Sequence, residues 1–119
     1  MVKPMRLPNA ERAHVDPAKL KHYLLSNTHA EGRGKAQFFM GFGFKPDRPE
    51  ELRDALLVLA KDNNVSSLQT SDHGTKYVIE GRLAAPDGRA PMVRTVWIVD
   101  AGASHPRFVT AYAGKGLSP

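Results

Sequence analysis

The sequence lacks cysteine, long apolar runs and metal-ligand motifs, and each absence excludes a class of protein. Without cysteine, disulfide frameworks and thiolate metal sites are excluded, and a reducing cytoplasm fits. No run of about 18 apolar residues is present to span a membrane, and residues 1–16 lack the apolar core of a signal peptide. Neither an HExxH pattern nor a nucleophile elbow occurs. We therefore expect a cytoplasmic protein with no metal, no cofactor and no membrane partner.

Length and charge indicate a small basic domain. The chain has 119 residues, of which 41% are hydrophobic, so one packed domain is expected. The 17 Lys and Arg residues exceed the 12 Asp and Glu residues, which gives a formal net charge of +5. A basic surface favours anionic partners, either nucleic acid or an acidic protein. The chemistry to expect is that of a site that holds an anion.

The chain divides into an arm, a domain and a tail. Residues 1–14 are polar and basic, contain Pro4 and Pro8 and show no periodicity, which predicts a flexible basic N-terminal arm. Residues 15–113 carry the periodic segments and form the expected single domain. Residues 114–119 form a short C-terminal tail.

Helix signals occupy the first half of the domain. Asp16 as N-cap and Pro17 at the first helical position begin a helix that should end near residues 27–28. A second helix is predicted over residues 33–41, before a stretch rich in glycine and proline. A third begins at Pro49, with acidic residues in its first turn and a leucine stripe on one face.

The second half changes to a period of two. Residues 65–70 predict a short strand, and residues 75–85 alternate clearly between apolar and charged side chains. Residues 92–100 and 107–113 predict two more strands, and the turns between these segments contain glycine. The predicted fold is α+β, with two to three N-terminal helices packed on one face of a three- to four-stranded antiparallel sheet.

The first candidate site is the stretch HAEGRGKAQFF, residues 29–39. Helix N-termini present unsatisfied amides and a positive dipole, and glycines allow a phosphate to approach the backbone. Arg33 and Lys35 add full charges, and His29 is suited to proton transfer near neutral pH. The alternative is a plain turn between helices with solvated cations, since the spacing is neither a Walker nor a Rossmann motif.

The second candidate is the segment HGTKYVIEGR. His73 lies in a turn, and Lys76, Glu80 and Arg82 share one strand face. Metal-free ribonucleases use such sets: a base removes the 2′-hydroxyl proton, a cation stabilises the phosphorane and an acid protonates the 5′-oxygen. The alternative is a solvated sheet face with cross-strand ion pairs.

The last two strands supply further candidates. Arg94 points away from the face of Trp97, and a cation in so apolar a strand needs a partner or a ligand. Trp97 is either a core residue or a platform for stacking bases. Thr110 and Tyr112 share a face and either bind phosphate or are ordinary strand residues.

The order of these motifs resembles a family of small bacterial proteins of unknown function. The pattern consists of a Tyr-Leu-Leu helix, a His-x-x-Gly-x-x-Lys-Ala-x-Phe-Phe segment, a Gly-x-Lys-Tyr strand, a Val-Trp strand and a closing Val-Thr-Ala-Tyr, and it covers residues 17–112. The proline usual after the last motif is Ala113 here. In that family the domain occurs beside a gene for a small partner or at the C-terminus of large secreted toxin-like proteins. The resemblance implies a toxin–antitoxin or polymorphic toxin role, and the layout is similar to that of barnase–EndoU–colicin–RelE ribonucleases.

Two functions follow as expectations. In the first, the chain is a metal-independent endoribonuclease toxin that cleaves tRNA or mRNA and is held by a cognate antitoxin or immunity protein. In the second, it is a non-enzymatic basic module that pairs with an acidic protein or nucleic acid. For the enzyme, the proposed catalytic residues are His29, Lys35, Lys76 and Thr110, and the proposed substrate-binding residues are Arg33, His73, Arg94 and Tyr112.

Overall fold

The computed structural model describes residues 5–20 and 33–114. Helices come first and strands second, which confirms the predicted α+β class. Among the described residues, no helix is long and apolar enough to cross a membrane. The elements in chain order are a 3₁₀-helix (Ala10–Arg12), α1 (Pro17–Lys19), α2 (Arg33–Gly41), α3 (Pro49–Asp62), β1 (Val65–Ser71), β2 (Gly74–Arg82), β3 (Met92–Asp100) and β4 (Arg107–Ala113).

The helices begin where the sequence predicts. The Asp16 carboxylate accepts a hydrogen bond from the Ala18 amide at 3.0 Å, and Pro17 follows it at the first helical position. The rest of the helix predicted to continue toward residues 27–28 lies outside the described residues. α3 begins at Pro49 as predicted, and its leucine stripe is fully buried.

The sheet is a four-stranded antiparallel meander in the order β1-β2-β3-β4. α3 packs against β2, and α2 packs against β4. Alternation divides β2 as predicted: Tyr77 and Ile79 are buried under the helices, whereas Lys76 and Glu80 lie on the opposite face. We call that opposite side the open face. It carries Lys76, Val78, Glu80 and Arg82 of β2, Met92, Arg94, Val96, Ile98 and Asp100 of β3, and Arg107, Thr110 and Tyr112 of β4.

Trp97 is a core residue. Its side chain is fully buried, with its ring edge-to-face against Phe108 at 5.3 Å between centroids. The indole N–H donates to the Thr95 hydroxyl at 2.8 Å, and that hydroxyl donates to the Ile79 carbonyl at 2.8 Å. Each polar atom of this buried chain therefore has a partner. This burial removes the alternative of Trp97 as a platform for bases.

Residues 5–14, which the sequence predicts to belong to a flexible basic arm, pack against the domain. The segment crosses the helical side of the sheet from β1 to β4: the Val65 amide donates to the Met5 carbonyl, and the Phe108 amide donates to the His14 carbonyl. Leu7, at 3% exposure, anchors it in the core. The sequence does not predict this packing, because one buried leucine and backbone pairing at two positions produce no periodic pattern.

The turn between β2 and β3 fixes the end of α2. The Arg89 guanidinium donates to the Gly41 carbonyl at 2.8 Å, covers the Phe42 ring at 4.3 Å and pairs with Asp87 at 2.6 Å. The Asp87 amide also donates to the Phe42 carbonyl at 3.2 Å. These contacts join the β2–β3 hairpin to the end of α2.

Asp87 should make the stability of the protein depend on acid pH. The hydrogen bond from the Arg89 side chain, and then that from the Arg89 amide, holds the pKa of Asp87 below its ordinary value. A lowered folded-state pKa stabilises the protein above the ordinary value, and this stability is lost as pH falls through the folded pKa. We expect Asp87→Asn to lower the urea midpoint at pH 7 and to converge with the unaltered protein once the pH has fallen below the folded-state pKa of Asp87. Asp72→Asn, in an exposed turn, is the control, and a constant Asp87→Asn difference across this range would contradict the assignment.

Candidate functional site

A cleft opens at the end of the open face where the β1–β2 and β3–β4 turns meet. Its volume is about 310 Å³. Charged and hydrogen-bonding side chains line most of it, with one aliphatic side chain among them. The lining residues are Gln69, Ser71, His73, Gly74, Lys76, Ile98, Asp100 and Arg107.

The β1–β2 turn is held tightly against the end of β3. The Ala101 amide donates to the His73 carbonyl at 2.9 Å, and the His73 amide donates to the Ser71 hydroxyl at 3.2 Å. Gly74 has φ +137°, and a Cβ there would collide with the Val99 carbonyl oxygen. Only glycine therefore lets the backbone come close enough to place His73 at the cleft.

Gly74→Ala should cost much more stability than Gly88→Ala. Both glycines have positive φ, but an added Cβ at Gly88 would meet nothing within 4 Å. Strain at such a backbone position costs roughly 1–3 kcal/mol, and the collision at Gly74 adds to that cost. Urea denaturation of the two variants provides the comparison, and equal destabilisation would show that the close approach of β2 and β3 is relaxed easily.

Arg107 and Asp100 form one wall of the cleft. The guanidinium is bidentate, with Nε at 2.7 Å and Nη2 at 3.1 Å from the two carboxylate oxygens. This pairing lowers the pKa of Asp100 and raises that of Arg107. Both side chains are about half exposed, so the pair is solvated, and the remaining guanidinium donors can reach a further anion.

Lys76 is the exposed cation at the centre of this region. In the sheet register it lies between Gln69 of β1 and Ile98 of β3, with Arg107 on the far side of Ile98. Two strand spacings separate the Lys76 and Arg107 backbones, roughly 10 Å. Within the described parts of the chain, no carboxylate lies within ion-pair distance of the Lys76 ammonium.

A second cluster lies further along the open face. Arg94 is directly opposite Glu80 on one side and Tyr112 on the other. Its Nε is 3.3 Å from the Glu80 carboxylate. The hydrogen bond to the Tyr112 hydroxyl, followed by the charge of Glu80, raises the pKa of Arg94 against the opposing effect of burial. Four residues of strand separate this row from the Lys76 row, which is roughly 13 Å.

The structure brings five of the predicted residues onto or beside one face. Lys76 and His73 line the cleft, Arg94 and Tyr112 form the second cluster, and Thr110 lies in the row between them, opposite Val96. His29 lies outside the described residues, and so do the side chains of Arg33 and Lys35. Their convergence with Lys76 stays a prediction.

Four polar or charged residues of the cleft were missed by sequence analysis: Gln69, Ser71, Asp100 and Arg107. Asp100 and Arg107 stand at the last position of β3 and the first of β4. Charged residues that flank a tight turn are common, so only the paired register reveals that the two side chains meet. Within residues 5–20 and 33–114, no group of three His, Asp or Glu side chains is arranged to hold a metal ion.

Comparison with known proteins supplies a family and a fold relative. Among curated proteins, none matches this sequence. One chain of a solved structure, titled a contact-dependent growth inhibition toxin–immunity protein complex from Klebsiella pneumoniae 342, is similar in fold with a TM-score of 0.64. The two chains are 22% identical, and the match covers 84% of this chain and 98% of the other. A family model described as a domain of unknown function, DUF6883, matches residues 6–115, so the chain belongs to the DUF6883 family.

Proposed function

We propose that this domain is a metal-independent endoribonuclease of toxin type, with its active site on the open face around Lys76. The observation that carries the proposal is the composition of the cleft: an imidazole, His73, lies with two cations, Lys76 and Arg107, in one solvent-filled hollow. A phosphodiester needs a proton acceptor and fixed positive charge at the same place, and this cleft offers both.

The proposed reaction uses the 2′-hydroxyl of RNA as nucleophile. His73 accepts the 2′-hydroxyl proton while the 2′-oxygen bonds to phosphorus. The bond from phosphorus to the 5′-oxygen breaks, and that oxygen receives a proton, for which His29 is our candidate. The products are a 2′,3′-cyclic phosphate and a 5′-hydroxyl end. Lys76 stabilises the additional negative charge of the phosphorane, and Arg107, oriented by Asp100, holds a non-bridging oxygen.

The fold relative supports the toxin setting. Its title names a toxin and an immunity protein, and the match extends over nearly all of that chain. We propose that this domain likewise acts with a cognate immunity or antitoxin protein, on cytoplasmic tRNA or mRNA. A solvated face that carries Lys76, Arg94 and Arg107 suits an acidic partner that would cover the same cleft.

A second function is favoured by the ion pairs on the open face. Arg94 and Arg107 are each paired with a carboxylate, as expected of a solvated sheet surface that only binds a partner. In that function the domain binds an acidic protein or nucleic acid without chemistry.

Incubation with total RNA in EDTA separates the two functions. The chain should cleave RNA, and His73→Gln should reduce cleavage by about 10²–10⁴-fold, as expected for loss of a general base. His105→Gln, an exposed histidine in the β3–β4 turn that does not line the cleft, is the matched control. If the RNA stays intact with protein that is free of any co-purified inhibitor, the ribonuclease function is excluded and the binding function remains.

A further inference from the structure

Lys76 stands between two hollows. Beyond the cleft described above, a second hollow of about 330 Å³ borders the β1 side of the open face. It is lined by Ser67, Leu68, Gln69, Lys76 and Val78. Gln69 and Lys76 line both hollows, so the two spaces meet at these side chains.

The second hollow is neutral apart from Lys76. The second hollow offers the aliphatic side chain of Val78, and the cleft offers that of Ile98. Apart from Lys76, no lining residue of the second hollow carries a charge. Such a surface suits the apolar faces and polar edges of a nucleoside better than a second phosphate. Each volume is at the lower end of the range for small-ligand sites. A hollow of this size suits a single nucleoside rather than a double helix of nucleic acid.

We propose that the substrate is single-stranded RNA, bound with one nucleoside in each hollow and the connecting phosphate at Lys76. This proposal rests on the ribonuclease function proposed above and adds the class of RNA. Gln69 is placed to contact a base edge, because its amide carries both donors and an acceptor and it borders both hollows.

A paired duplex does not meet this geometry. Bases in a duplex are stacked and turned inward, whereas two hollows that flank one phosphate require two bases to be splayed apart. Single-stranded loops and ends supply such bases without the cost of breaking pairs.

The first test compares two forms of one oligoribonucleotide, alone and annealed to its complement. The single strand should be cleaved at least about tenfold faster, since the bound bases must be unpaired. The comparison uses the unaltered protein, so it does not depend on whether a variant folds. If neither form is cleaved, the ribonuclease proposal itself is overturned. Equal cleavage of both forms would retain a ribonuclease and overturn the single-strand proposal.

The second test fills the second hollow. Ser67 is exposed on β1 and lines only that hollow, so Ser67→Phe should slow cleavage of the single strand by about tenfold, comparable to losing one base contact. Thr70→Phe is the matched control, because Thr70 is exposed on the same strand and faces the other side of the sheet. In parallel, Gln69→Ala should alter the preference among dinucleotide steps. A folded Ser67→Phe with unaltered cleavage would overturn the two-hollow assignment.

Discussion

Lys76→Met should lower the rate of RNA cleavage by about 10²–10³-fold. In other enzymes, removal of one preorganised group that stabilises the charge of the transition state lowers the rate by this factor. Lys76 is exposed and lies in the cleft beside His73, and methionine retains most of the length of the side chain. The substitution removes the charge and leaves the strand intact. Rates should be measured at saturating RNA, so that weaker binding is separated from slower chemistry.

Lys61→Met is the matched control for charge. Lys61 lies at the end of α3 on the helical side of the sheet, beside the 3₁₀-helix, and its loss reduces the net charge by the same amount. The control should cleave at nearly the rate of the unaltered protein. Equal losses in both variants would indicate that general attraction of RNA, rather than a charge placed at the cleft, supports the activity.

Trp97→Ala should destabilise the fold by about 3–5 kcal/mol, the usual cost of removing a large buried aromatic side chain. Trp97 is fully buried, with 0% of its surface accessible to solvent. It packs on Phe108 at the bulge between β3 and β4. Because a domain of this size has a total stability of about 5–15 kcal/mol, the variant should be marginally folded. Urea denaturation monitored by circular dichroism gives the free energy of unfolding.

Trp97→Phe gives the expected intermediate case. The smaller ring retains much of the packing, and the Thr95 hydroxyl keeps its bond to the Ile79 carbonyl after the indole N–H is lost. The cost should therefore be clearly below that of alanine. RNA cleavage by folded Trp97→Phe should be nearly unaltered. A large loss of cleavage without loss of stability would contradict a purely structural role and would indicate that Trp97 stacks on bases.

Much of the fold could be predicted because its signals are local. The alternation in β2, the proline and acidic residues at the start of α3 and the glycine turns are each contained in a few neighbouring residues. The packing of residues 5–14 could not be predicted, because it depends on one buried leucine, Leu7, and on backbone pairing with strands that follow much later in the chain.

The candidate site shows the same limit. Strand parity predicted that Lys76 shares a face with Glu80 and Arg82, and that Thr110 shares a face with Tyr112. The register of β2, β3 and β4 places Lys76, Arg94, Thr110 and Tyr112 together on one side of the sheet. The cleft itself is made where two turns meet, and neither Gln69 nor Arg107 has a motif that marks it. Its existence depends on the register of β1 against β2 and of β3 against β4, which is a property of the folded sheet.

The ends of the RNA fragments test the central claim most directly. RNA cleaved in EDTA should carry 2′,3′-cyclic phosphate and 5′-hydroxyl ends, because in the proposed reaction the attacking oxygen belongs to the substrate, His73 moves a proton and Lys76 stabilises charge. An RNA whose single cleaved position is 2′-deoxy should remain intact at that position. Fragments with 5′-phosphate ends, or cleavage at the 2′-deoxy position, would contradict the proposed chemistry of the open face.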